Sequence, residues 1–247
     1  MLKVFVTIGN YVLVMQKVFS RPQKGRIFWN QMMTEINNLG LESLGIVAFI
    51  SLFMGAVVSI QTAYNITSPL IPMSMVGFTV RQSVILEFSP TVISLILAGK
   101  VGSRIASEIG TMRVTEQIDA LEIMGVNSAS YLILPKIAAS ILINPVLIVF
   151  SMWMGILGGW VAMVATGLVT TTDYVYGIRI DFLGYTIFYA ITKTIFFAYI
   201  IASVAGFYGY ITQGGALEVG QASTKAVVVS SVIIILFNLV LTQLLLT

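Results

Sequence analysis

The chain has 247 residues, of which 57% are hydrophobic and 9% are charged, and it contains no histidine and no cysteine. Soluble domains carry roughly 25% charged residues, so this composition excludes a soluble protein. Without His or Cys, the chain lacks the ligands and nucleophiles of the usual zinc sites, iron–sulfur clusters, disulfides and Cys or His active sites. The net charge of +3 is too small to indicate a nucleic-acid-binding protein.

The amino-terminal region, residues 1–43, differs from the rest because basic residues flank its short apolar runs. Lys3, Asn10 and Lys17 recur at helical spacing, while most apolar side chains fall on another face. This pattern predicts an amphipathic helix that lies in the membrane interface. A cleavable signal peptide is the competing interpretation, but the run lacks a small-residue cleavage site and the basic residues follow it.

Long stretches without Asp, Glu, Lys or Arg occur almost entirely in the remaining residues, 44–247, at 43–80, 137–172, 194–217 and 226–247. A helix needs about 20 apolar residues to cross the hydrocarbon core of a bilayer. The pattern predicts an all-α, polytopic membrane protein with five transmembrane helices, at about 44–65, 82–105, 138–165, 185–210 and 226–246.

Lys and Arg residues are distributed unequally between the two sides of these spans. Ten lie on the side of the amino terminus, Arg81 and Arg179 lie on the other side, and Lys193 lies inside the fourth span. Because basic residues concentrate on the cytoplasmic side, we expect a cytoplasmic amino terminus and a periplasmic carboxyl terminus.

The longest predicted cytoplasmic connection joins the second and third spans. Its polar and apolar residues alternate at helical spacing, which predicts an amphipathic helix at about 112–124 that ends at Gly125. A polar helix held parallel to the membrane suits the docking of a soluble partner. A solvated connector helix is the alternative.

Several charges lie in or near the predicted spans, where each is costly. Pro90 leaves the Leu86 carbonyl without its helical donor, so Glu87 is either a cavity-lining carboxylate or an interfacial residue. Lys193 either snorkels outward or pairs with a carboxylate such as Glu87. A further three charges fall on one face of the second helix, which favours ion pairing and headgroup contact over transport: Lys100, Arg104 and Glu108.

Small residues repeat at helical spacing on the first three spans, for example Gly55 with Ser51 and Ser59, and Gly155 with Gly159. Such stripes allow close approach of helices, either within one subunit or between two copies. Another face of the first span offers apolar wall and two amides, from Val58, Gln61, Asn65 and Ile66.

The chain lacks the glycine-rich phosphate-binding motif of ATPases, because the segment around Lys100 has neither the earlier glycine nor the following hydroxyl residue. We therefore predict a transport protein that is not an enzyme, with no catalytic residue, metal or cofactor. Its energy comes from a partner or an ion gradient.

The block from Glu87-Phe-Ser-Pro90 through Leu97-Ala-Gly-Lys-Val-Gly-Ser103 to Glu108–Leu121 strongly resembles the MlaE family of ABC-transporter permeases. The resemblance covers about residues 44–245 and departs at Asn238, where relatives carry an acidic residue. It implies a homodimer in the bacterial inner membrane that works with two ATPase subunits and a periplasmic MCE-domain protein, a ring, to move phospholipids between the inner and outer membranes.

The resemblance also implies roles for particular residues. A lipid cavity between the two subunits would involve Val58, Gln61, Asn65, Ile66, Glu87 and Phe88. The helix that couples to the ATPase would use Met112, Arg113, Glu116, Gln117, Asp119 and Leu121. A charge relay or headgroup contact would involve Lys193, Lys100, Arg104 and Glu108.

Two other functional classes remain open. An ion-coupled secondary transporter needs inverted repeats with paired broken helices, and the sequence has no convincing second copy of the Glu87–Pro90 region. A non-transporting membrane anchor would assemble other subunits without moving a substrate.

Overall fold

A computed structural model describes residues 2–20, 25–66 and 70–246, without the side chains of residues 2–4 and 246. Nearly all of these residues are helical and none is in a β-strand, which confirms the all-α prediction. Arg21 and Lys24, two basic residues of the predicted cytoplasmic side, lie outside the described residues.

Within the described residues, five helices are long and apolar enough to cross a membrane, which confirms the predicted number of spans. They are α2 (Gly25–Asn65), α3 (Ser74–Val114), α5 (Ser128–Thr166), α7 (Tyr185–Tyr210) and α8 (Ala216–Leu246). Shorter helices accompany them: α1 (Leu2–Ser20), α4 (Gln117–Ile123) and α6 (Thr171–Arg179).

The first two long helices extend beyond the predicted spans. The predicted boundary at residue 43 falls inside α2, where the chain passes through π-helical turns at Ile36–Gly40 and a 3₁₀ turn at Leu41–Ser43. In α3, the segment Val84–Val92, which contains Pro90, is also π-helical. A π-helical turn is wider than an α-helical turn and accommodates a proline, which has no N–H to donate, without ending the helix. α3 therefore continues through Pro90, where an α-helix would be expected to kink or break.

The chain divides into two compact units. The first consists of Met1–Glu42, Leu95–Asn144 and Ile195–Thr247. The second consists of Ser43–Ser94 and Pro145–Thr194, and its core cluster includes Val76, Val80, Val84, Met163 and Tyr174.

In the second unit, small residues bring α2 and α5 into close contact. A Cβ atom added to Gly55 would overlap the Gly155 carbonyl, and one added to Gly158 would overlap the Leu52 carbonyl. Ser51 and Ser59 lie on the same buried face of α2. The small-residue stripe on α2 therefore packs within one subunit, as the first of the two interpretations predicts.

A methyl group at Gly55 should destabilise this helix contact strongly. We expect Gly55→Ala to cost about 1–3 kcal/mol of unfolding free energy, because rigid backbone occupies the position of the new Cβ atom. Gly45→Ala in the same helix is the matched control, since a Cβ there has open space and alanine favours the helix by about 0.5–1 kcal/mol. Thermal unfolding in detergent measures both, and equal stability of the two variants would contradict the prediction.

Candidate functional site

Lys193 is fully buried in the second unit and is paired with Glu87. Its Nζ atom lies 2.8 Å from Glu87 Oε1 and 3.4 Å from the Leu86 carbonyl oxygen, and it sits 4.5 Å from the centroid of the Tyr189 ring. The lysine therefore donates to the carbonyl that Pro90 deprives of its helical donor. Of the two interpretations of Lys193, the structure contains the ion pair and not the outward snorkel.

The carboxylate of Glu87 is hydrogen-bonded inside the protein and is also partly accessible from outside. Glu87 Oε2 accepts a hydrogen bond of 3.0 Å from Thr91, while 43% of the side chain remains accessible. A carboxylate held in this way can accept further hydrogen bonds from a polar group, such as a lipid headgroup or a chain of waters. Because Lys193 neutralises it, Glu87 tolerates a position inside a membrane-spanning helix.

A row of three buried serines connects three helices beside Phe88. Ser51 donates to Ser151 at 2.8 Å, and Ser151 donates to Ser89 at 3.0 Å. They line a cavity of about 10 Å³, which is at the lower limit for one water molecule and far too small for an acyl chain. Sequence reasoning missed Ser89 and Ser151, since isolated serines in apolar helices carry no spacing signal.

The predicted lipid-contacting residues of the first span separate into two pairs. Gln61 and Asn65 are exposed, so their amides are available to a ligand. Val58 and Ile66 are part-buried and pack against the core cluster of the second unit. The exposed apolar surface of α2 comes from other side chains, including Phe49, Phe53 and Val57.

The charges near the carboxyl end of α3 hold the first part of α2. Arg104 donates to the Asn38 carbonyl at 3.0 Å and pairs with Glu42, and Lys100 contacts the Glu42 carbonyl. A second ion-pair cluster has Lys136 at its centre, 2.5 Å from Glu35 and 2.8 Å from Glu108. All three predicted charges, Lys100, Arg104 and Glu108, therefore take part in structural pairing.

The predicted coupling helix is interrupted, and the continuous helix at 112–124 is wrong. α3 continues to Val114, the chain turns at Thr115 and Glu116, and α4 begins at Gln117. Glu116 has a φ of 60°, a left-handed conformation that interrupts the helical geometry between α3 and α4. Met112 and Arg113 consequently belong to the end of α3.

Side-chain contacts fix α4 in place. Arg113 pairs with Asp119 at 2.7 Å, and Ile118 is fully buried. The Glu122 carboxylate accepts hydrogen bonds from Ser128 at 2.8 Å and Tyr210 at 2.9 Å.

Glycine ends α4 at the predicted position. Gly125 has a φ of 77°, and its N–H donates to the Glu122 carbonyl while the Val126 N–H donates to the Leu121 carbonyl. These bonds satisfy the last carbonyls of the helix. Specific contacts therefore hold both ends of α4, to α3 through Arg113 and to α5 and α7 through Glu122.

The exposed surface of α4 differs from the predicted one. Of the six predicted coupling residues, Glu116 and Gln117 are exposed, whereas the others, Met112, Arg113, Asp119 and Leu121, are part-buried. Ile123 and Met124, which the helical pattern groups with the apolar residues of the amphipathic helix, are 87% and 69% exposed. Sequence reasoning missed this pair because it assumed one uninterrupted helix.

Acidification should loosen α4. The hydroxyl groups of Ser128 and Tyr210 donate to Glu122 and hold its pKa below the usual 4.5. This contribution to stability is therefore fully present above pH 4.5 and is lost as the pH falls through the lowered pKa. We expect the hydrogen-exchange protection factors of Gln117–Ile123, which correct for the intrinsic pH dependence of amide exchange, to fall in that range. Glu122→Gln, which does not titrate, should lack this pH dependence, and an identical profile for both proteins would contradict the assignment.

Comparison with known proteins identifies close sequence relatives. The family described as Permease MlaE matches residues 32–244. A probable ABC transporter permease of Rickettsia bellii is 32% identical over 96% of this chain and 92% of its own length. A second, from Synechocystis, is 33% identical over 92% of this chain and 86% of its own length.

A plant protein is similar to an equal degree. The chloroplastic protein TRIGALACTOSYLDIACYLGLYCEROL 1 of Arabidopsis thaliana is 32% identical over 94% of this chain and 66% of its own length. The family match and the extent of these alignments confirm the resemblance seen in the central block. With its five long apolar helices, this chain is a multi-pass membrane protein that belongs to the MlaE permease family.

Proposed function

We propose that this chain is the membrane subunit of an ABC transporter that moves phospholipids or related lipids between the inner and outer bacterial membranes. Two separate ATPase subunits would hydrolyse the ATP. The observation that carries the proposal is the exposed pair Ile123 and Met124, held on a short helix that two sets of side-chain contacts fix in place. The names of the Rickettsia and Synechocystis relatives support an ABC-type energy source.

The α4 surface has the properties of a docking site for a soluble protein. α4 lies outside the five candidate spans, so we infer that its exposed apolar side chains face a partner and not hydrocarbon. Large exposed apolar groups with a polar rim mark protein contacts, and here Glu116 and Gln117 supply the rim. An ATPase groove that accepts Ile123 and Met124 would bury both.

A movement of α4 could be transmitted to Glu87 through α3. α3 runs without interruption from Ser74 to Val114, so it carries both Glu87 and the residues next to the coupling turn. Arg113 ties the end of α3 to Asp119 of α4. ATP-driven closure of the ATPase pair would displace α4 and α3 together, which would alter access to Glu87 and convert between inward and outward states.

A lipid substrate fits the polar groups of the second unit. Gln61 and Asn65 present amides, and the part-exposed Glu87 carboxylate is positioned by Lys193. Phe88, beside Glu87, adds a part-buried ring. The Arabidopsis relative is named after a galactolipid, which supports a lipid as the substrate class.

The remaining parts of the proposal follow from the family resemblance. Two copies of the chain would enclose the lipid cavity, with Val58 and Ile66 contributing to its apolar wall. A periplasmic MCE-domain ring would receive or deliver the lipid. The unequal distribution of Lys and Arg supports a cytoplasmic amino terminus and a periplasmic carboxyl terminus.

Isolation of the chain from its native membrane in mild detergent tests this proposal. We expect an ABC ATPase, an MCE-domain protein and phospholipid to co-purify with it, as identified by mass spectrometry. A chain recovered with none of them, and with lipid movement that follows an ion gradient, would favour a secondary transporter. Recovery of the subunits without any lipid movement would favour an anchor.

A further inference from the structure

A second apolar cavity lies within the first unit, apart from the lipid-contact residues discussed above. It occupies about 460 Å³ between α1, α7 and α8. Six aromatic residues line it: Tyr11, Phe196, Tyr199, Phe207, Tyr208 and Phe237. The volume falls within the range of sites for small molecules, about 300–1,000 Å³, and apolar lining with few polar groups is typical of them.

The cavity has a buried floor and an open mouth. Val204 and Phe207 of the floor are 5% and 1% exposed. Ile8, Phe196 and Phe237 at the mouth are 43–54% exposed. Because α7 and α8 are long and apolar enough to span a membrane, we infer that the mouth opens toward the hydrocarbon of the bilayer.

The lining selects an uncharged ligand. None of the described side chains that line the cavity carries a charge, so a phosphate or ammonium group would find no counter-ion inside. Tyr11, one of the polar residues of the lining, donates to Ser203 at 2.9 Å and packs edge-on against Phe207 at 5.5 Å between ring centroids. A charge-free aromatic lining matches a hydrocarbon chain, which would leave its headgroup at the mouth.

We propose that this cavity binds one hydrocarbon chain of a membrane lipid, which enters from the bilayer and fills the space between α1 and the two helices α7 and α8. The bound lipid is a resident component and is separate from the transported substrate. It completes the attachment of α1, which contacts α7 through Tyr11 and Ser203. If it were left empty, an apolar cavity of this size would forfeit packing contacts, and a bound chain restores them.

Photolabelling of the purified full-length chain in nanodiscs tests the proposal. One arm uses phosphatidylglycerol with a diazirine in one acyl chain, and the other uses diacylglycerol with the same acyl chain. We expect labelling of Tyr199 and Phe207 above that of Leu239, an exposed residue of α8. Labelling by the first lipid identifies a phospholipid, and labelling by diacylglycerol alone identifies a neutral lipid. Either result supports a bound hydrocarbon chain.

Ile233→Trp fills the cavity from α8, and Val232→Trp is its control, because Val232 is 53% exposed and does not line the cavity. We expect Ile233→Trp to lower labelling of Phe207 about tenfold, and the control to leave it unchanged. Added lipid should raise the Tm of the wild type and of the control but not that of Ile233→Trp. The Tm curves also show whether each variant folds.

Labelling of Tyr199 and Phe207 no greater than that of Leu239, and insensitive to Ile233→Trp, would overturn the proposal. Capture of a polypeptide by a photo-cross-linking amino acid at position 229, in native membranes, would also overturn it in favour of a partner helix. Both measurements report binding to this chain without ATP. The lipid-binding proposal can therefore be refuted while the proposed transport function holds, and it can be supported while the transport function is refuted.

Discussion

Replacing both Ile123 and Met124 with glutamate should abolish binding of the ATPase subunit. The two side chains, at the carboxyl end of α4, are 87% and 69% exposed, and α4 lies outside the five candidate membrane spans, so both are accessible to a partner's pocket. Loss of a central interface residue typically costs about 2 kcal/mol, or about 30-fold in Kd, and introducing two charges into an apolar contact costs more. Co-purification and titration of the ATPase against the detergent-solubilised chain measure the effect.

The matched control replaces Ile123 and Met124 with leucine, which keeps apolar volume without adding charge. This control should bind the ATPase within a few-fold of the wild type. Because both positions are exposed, neither variant should change thermal unfolding of the chain alone. Wild-type ATPase binding by the glutamate variant would show that α4 is a solvated connector.

Glu87→Gln should destabilise the chain more than Lys193→Met does. Removing Glu87 leaves a fully buried ammonium group without its counter-charge, which costs about 3 kcal/mol, the lower end of the range for a buried pair. Removing Lys193 leaves a carboxylate that is 43% exposed and retains its hydrogen bond to Thr91. The difference between the two variants therefore follows from the unequal burial of the pair.

The double variant with both substitutions is the control for this pair. It removes both charges together, so its stability should exceed that of Glu87→Gln alone. We expect lipid transfer to be low in Glu87→Gln and equally low in the double variant, since neither retains a carboxylate that can contact a headgroup. Equal destabilisation by the two single substitutions, measured by thermal unfolding in detergent, would contradict the asymmetry.

Much of the fold follows from where the charges are absent. Charge-free stretches longer than a bilayer crossing predict five membrane-spanning helices, because an unpaired charge in hydrocarbon is costly. The same cost explains why Lys193 pairs with Glu87: a fully buried lysine needs a counter-charge and hydrogen-bond acceptors. The sequence alone did not exclude snorkelling, because a lysine near the end of a membrane-spanning helix can reach water. How deeply the Lys193 side chain is buried depends on the packing of the helices, which the sequence does not reveal.

The structure of the coupling region could not be predicted from the spacing of polar and apolar residues. Glu116 adopts a left-handed conformation without being glycine, so no residue type marks the break between α3 and α4. After the break, the helical phase restarts at Gln117, which turns Ile123 and Met124 outward. The π-helical turns around Pro90 and at Ile36–Gly40 could not be predicted from the sequence either, because no residue pattern marks π-helical geometry.

Lipid transfer between proteoliposomes is the most direct test of the proposed function. The complete complex, with its ATPase and MCE-domain subunits, is reconstituted with a fluorescent phospholipid, and transfer is followed with and without ATP. We expect transfer that requires ATP and disappears in the Ile123→Glu, Met124→Glu variant. Transfer that continues without ATP, or that persists in this variant, would contradict an ATPase-driven lipid permease.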